Sequence, residues 1–117
     1  MGAQRLEEEA LAIRQRVLGP EHPDTLTSML TVAHTLYAIG DLSRARKLQE
    51  EVLESFRRVL GMEHPHTLVT MNNLAATLYE QGDSAGAHKL HEKTLEVRRR
   101  VRKDSRNPPK GAGGRAP

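Results

Sequence analysis

The residues best able to do chemistry in this chain of 117 residues are its six histidines. His64 and His66 sit two apart, and His88 and His91 stand at i and i+3. On a helix, the second spacing lets two imidazoles reach one metal ion from a single face. Cysteine is absent, so a thiolate-ligated zinc or iron–sulfur site and a disulfide framework are both excluded. The loop histidines have a second reading, because their surroundings recur. RVLGPEHPDTL, Arg16 to Leu26, returns as RVLGMEHPHTL, Arg58 to Leu68, with Gly, Pro and His in the same places. Pro suits a first helical turn, where its missing N–H is not needed, and the His before it then takes the cap position. His66 stands where the first copy has Asp24, which marks an exposed, exchangeable position. Capping explains these imidazoles better than chelation, so no metal and no cofactor are assigned.

Catalytic constellations fare no better. No Gly-rich phosphate loop follows a strand, and no Ser-His-Asp spacing appears. The carboxylates scatter along polar faces, and the run Glu7-Glu8-Glu9 reads as a solvated helix face with partners one turn away. The chain does not read as an enzyme.

The elements that carry these residues follow from the repeat. Its period is 42 residues, the step from Arg16 to Arg58. Ala33, Leu36, Tyr37, Gly40 and Asp41 recur as Ala75, Leu78, Tyr79, Gly82 and Asp83. Ala45, Leu48 and Leu53 recur as Ala87, Leu90 and Leu95, and the same step backwards meets Ala3, Leu6 and Leu11. Within one period, Leu26, Met29, Ala33 and Leu36 recur at three- and four-residue spacing and form one helical face. Gly40 ends that helix. A second helix then buries Leu42, Ala45, Leu48, Val52, Leu53, Phe56 and Val59 and stops at Gly61. The period thus predicts five helices, over about 3–18, 23–39, 42–60, 65–81 and 84–102. An all-α solenoid of αα-hairpins follows, about two and a half repeats long over residues 1–103, with the chain opening on a second-type helix.

Charge divides the chain unevenly. Residues 1–92 hold 9 Lys/Arg against 13 Asp/Glu, whereas residues 93–117 hold 9 Lys/Arg against Glu96 and Asp104 alone. The end rich in Pro, Gly and charge, 104–117, is expected to be a disordered basic tail. Such a tail could touch nucleic acid by charge, but no aromatic residue is interleaved for stacking on bases, and a solubilising tail or a linker fits better. No apolar run approaches the roughly 18–20 residues needed to span a bilayer. The N-terminus lacks the apolar core of a secretory signal, and Leu6 stands where a myristoylation motif wants Ser or Thr. A cytoplasmic protein without a membrane partner is expected.

The stretch HPHTLVTMNNLAATLYEQGD, His64 to Asp83, together with the connector RVLGPEHPDT, resembles the tetratricopeptide repeat, in its long 42-residue variant of the kinesin light chain and nephrocystin type. The resemblance covers roughly residues 3–101. It implies a non-enzymatic scaffold or adaptor whose first-type helices line a concave groove for a protein or peptide partner. Carried over by motif position, the groove residues are Thr27, Leu30, Thr31 and His34 in one repeat and Val69, Asn72, Asn73, Ala76 and Glu80 in the next. Asn73 matches the family's Asn that hydrogen-bonds partner backbone, and an amide can both donate and accept. The family usually carries an aromatic at the positions held here by Glu7, Gln49 and His91.

About three stacked repeats are usually needed to bury a continuous core. With fewer, the chain is expected either to belong to a longer array or to self-associate through its open end helices, the first of them above all, as a homo-oligomer. A purely structural, self-assembling segment is thus the chief rival to groove binding.

Overall fold

The computed structural model describes residues 2–106, with side chains from 4 to 102. Five helices follow one another: α1 (Gly2–Val17), α2 (Pro23–Ala38), α3 (Leu42–Val59), α4 (Pro65–Glu80) and α5 (Ser84–Arg106). Each packs against its neighbours in sequence, which is how a solenoid buries its core. The result is a slab with principal extents of 59 × 37 × 19 Å.

The recurring loop residues set the helix ends. Pro23 and Pro65 stand at the first helical positions, and His22 and His64 cap them. Each imidazole accepts, at Nδ1, the backbone N–H two residues on: Asp24 N at 3.0 Å and His66 N at 3.0 Å. That bond satisfies one of the donors that a helix N-terminus leaves without a partner. Helix α2 ends where Gly40 turns to φ +91°, a region that disfavours any residue with a Cβ. The turn lets Asp41 N–H reach back to the Leu36 carbonyl at 2.8 Å and closes the helix end. The Asp41 carboxylate then accepts Arg44 N–H at 3.4 Å and caps α3.

The core is aliphatic and built on close helix crossings. Ala33, Ala45, Ala75 and Ala87 are all buried where paired helices meet. Leu11 of α1, Leu26, Met29, Val32 and Leu36 of α2, and Ala45, Val52 and Phe56 of α3 form one cluster. Leu68 and Met71 of α4 meet Val97 of α5 in another.

Two expectations need correction. Val59 is 53% exposed rather than buried, because it lies in the last turn of α3, where the chain is already leaving the core for the connector. The final helix passes the expected end at 102 and runs to Arg106, so residues 104–106 of the segment expected to be disordered are helical. Lys103 falls one period after Gly61. Without a glycine to turn the backbone, a run of Arg and Lys, good helix formers, carries the helix on. The rest of that segment, 107–117, lies outside the described residues.

Candidate binding groove

The first-type helices α2 and α4 lie on one side of the slab and share a hollow of about 160 Å³. Leu30 and His34 reach it from α2, Asn73 and Ala76 from α4. Tyr37 and Gln49 complete the lining. Leu30 and Tyr37 also pack on the main cluster, so the apolar part of the wall is continuous with the core and held by it.

Of the nine residues expected to line a groove, the structure gathers Leu30, His34, Asn73 and Ala76. Thr27 belongs instead to a neighbouring hollow of about 230 Å³, with Pro23, Leu26, Phe56, Val59 and His66 among its walls. Thr31 is exposed and turns its hydroxyl back to the Thr27 carbonyl at 3.2 Å. Val69, Asn72 and Glu80 are exposed on α4 without lining the hollow.

The polar groups of the hollow differ in their freedom. Asn73 is exposed, and no intramolecular hydrogen bond holds its side-chain amide among the described residues. Gln49 is only 4% exposed, and its Oε1 has no hydrogen-bond partner among the described residues. Its counterpart one period earlier, Glu7, accepts a 2.6 Å bond from the Thr35 hydroxyl. The matching hydroxyl in the second copy, Thr77, donates to the Asn73 carbonyl of its own helix at 3.2 Å instead. Tyr37 and Gln49 were not among the expected groove residues. A signal for Gln49 was present all the same: an amide stands at a position the family gives to an aromatic.

Among the described residues, charge is nearly absent from this hollow, whose titratable side chains are His34 and Tyr37. It gathers on the opposite side, between the second-type helices α1 and α3, where Glu8, Arg44, Lys47 and Glu51 border a wider hollow of about 390 Å³. There the hydrogen bond from Gln4 (2.9 Å) and the charge of Arg44 (3.2 Å) hold the Glu8 carboxyl below its ordinary range, outweighing partial burial, which raises it.

The histidines are spread over this frame. His22 and His64 cap helices, and His66 meets the Phe56 ring edge-on with centroids 5.7 Å apart. His88 Nε2 lies 3.0 Å from Glu92, one turn along α5. Among the described residues, no three His, Asp or Glu side chains gather as a metal site, and no helix is long and apolar enough to cross a membrane.

The repeat seen in the helices is matched by known proteins. The tetratricopeptide repeat family profile matches residues 3–57 and 30–100. The chain belongs to the tetratricopeptide repeat family. Its solved structural neighbours place it with the kinesin light chain type. Two structures of nearly identical TPR-like repeats, named as those of a kinesin light chain from Podosopora anserina, one of them a single-substitution variant, are each 29% identical. They superpose with a TM-score of 0.80 over 86% of this chain and 47% of theirs. BtubC (BKLC) from P. vanneervenii is 26% identical, with a TM-score of 0.78 over 84% of this chain and 39% of its own. The tetratricopeptide repeats described here thus span about half or less of these relatives. A search of curated proteins by sequence finds no match. Repeats of this family generally mediate protein–protein interaction, on a fold that serves as a non-catalytic scaffold.

Proposed function

We propose that this chain is a scaffold or adaptor module that holds a segment of a partner protein in the groove between α2 and α4. The observation that carries the reading is the hollow itself: an uncharged amide, Asn73, stands free beside an apolar wall of Leu30 and Ala76. An amide can pair with both the N–H and the C=O of an extended chain, and the wall takes an uncharged side chain. Among the described residues no Lys or Arg lines the hollow, which disfavours recognition through an acidic or phosphorylated motif.

Panning a random peptide library against the protein tests this. Selected peptides should lose roughly tenfold or more in affinity on Asn73→Ala, about the worth of one buried hydrogen bond with its orphaned partner. Ala76→Arg should block them by filling the hollow. Peptides that bind both variants as well as the parent would sink the reading.

A further inference from the structure

The outer face of α1 carries an apolar stripe that no helix among the described residues covers. Leu6, Ala10, Ile13 and Val17 follow one another at spacings of four, three and four, the seam of a coiled coil. Leu6 is 67% exposed, Ile13 51% and Val17 68%, and Ala10 is exposed as well. The internal repeat shows what the middle of such a stripe ordinarily meets. One period on, the place of Ala10 is held by Val52, fully buried in the cluster shared with α2. Another period on it is held by Thr94, also buried, while the place of Ile13 is held by Val97, packed on Leu68 and Met71 of α4. In both cases the cover is a helix joined by a loop of only three residues, hence running antiparallel.

Charge selects the occupant. Acid gathers in the first half of α1, where Glu7, Glu8 and Glu9 outnumber Arg5, and base in the second (Arg14, Arg16). Glu7 is engaged by Thr35, Glu8 by Arg44, and Arg14 by Ser28 and the Asp24 carbonyl. Glu9 and Arg16 remain exposed along the open flank, Glu9 only loosely held by Arg5 at 3.7 Å. We infer that a second copy of this chain covers the stripe, with the two α1 helices antiparallel about a two-fold axis. In that arrangement Ala10 of each copy faces Ile13 of the other, and Leu6 faces Val17. Glu9 then comes beside the other copy's Arg16, twice by symmetry, so that opposite charges flank the seam. The inference is independent of the groove, which lies on other helices.

Sedimentation equilibrium on the full chain, from micromolar to millimolar concentration, is the test. The expected result is a concentration-dependent dimer. Ile13→Glu should raise its dissociation constant at least about tenfold with helical content unchanged. Glu9→Arg should weaken the dimer, and Glu9→Arg combined with Arg16→Glu should restore it, because the pair is only reversed. A monomer throughout would overturn the proposal and leave the stripe to a helix of some other chain or segment. A dimer indifferent to Ile13→Glu would overturn it equally, pointing to exchange of α1 through its Leu11 face. A double charge variant no better than the single one would refute the antiparallel register.

Discussion

Replacing Gln49 by Leu should stabilise this protein, although it removes a polar group from a recurring seam of the repeat. Gln49 is 4% exposed and its Oε1 meets no donor. A buried acceptor left unpaired costs about 1–3 kcal/mol. Leu is of similar bulk, so it fills the space without a cavity and places apolar surface where the amide was desolvated. The gain should be about 1–3 kcal/mol, each kcal/mol raising the melting temperature by roughly 4–8 °C in a domain of this size. Thermal and urea unfolding followed by far-ultraviolet circular dichroism would measure it. The Thr partners supply a control. Thr35→Val should cost about 1 kcal/mol or more, because it strips the half-buried Glu7 of its 2.6 Å bond. Thr77→Val should be neutral to within about 0.5 kcal/mol, since that hydroxyl only returns to its own helix. If Gln49→Leu destabilises by about 1 kcal/mol or more and Thr77→Val does too, the Thr77 hydroxyl turns to Gln49 in solution and the reasoning fails.

Other consequences are simpler. Gly40→Ala should destabilise by about 1–2 kcal/mol; its φ of +91° is the sole reason, because a Cβ there would meet nothing within 4 Å. A loss below about 0.3 kcal/mol in urea melts would contradict that. His64→Ala should lose about 1 kcal/mol with the cap on α4, and His64→Asn should recover most of it; equal losses would show that the ring's packing matters rather than Nδ1. In an NMR titration, the Glu8 carboxyl should titrate below the usual range, and Gln4→Leu should raise it, with Arg44→Met adding to the effect. The sign follows from the lowered folded-state pKa: the small stabilisation is present above the unfolded-state pKa and lost as pH falls through the folded one. Glu8 is over a third exposed, so the effect should stay below about 1 kcal/mol. A Glu8 titration unmoved by both substitutions would contradict it.

The period of the sequence carried most of the fold. Gly, Pro and His are local devices whose work is done by the backbone beside them, so the ends of α2, α3 and α4 could be placed to within a residue from the sequence. The end of α5 is not legible in the same way, because the break in the repeat is not the end of the helix. Losing the glycine at Lys103 removes a stop signal, and a helix without one continues. The groove was less legible. Leu30, His34, Asn73 and Ala76 converge because they share the inner faces of α2 and α4, which helical periodicity exposes. Thr27 and Val69 sit nearer the helix starts, where the connectors diverge, and face other surroundings. Gln49 reaches the hollow from the second-type helix behind it, a depth that one-dimensional spacing does not encode.

The central claim is that the α2–α4 hollow receives a partner segment, and amide chemical-shift mapping addresses it most directly. A library-selected peptide titrated into labelled protein should shift Leu30, His34, Asn73 and Ala76 most, and leave α1 and the exposed face of α5 unmoved. Shifts centred on α1 or on the basic turns of α5, with the hollow silent, would contradict it.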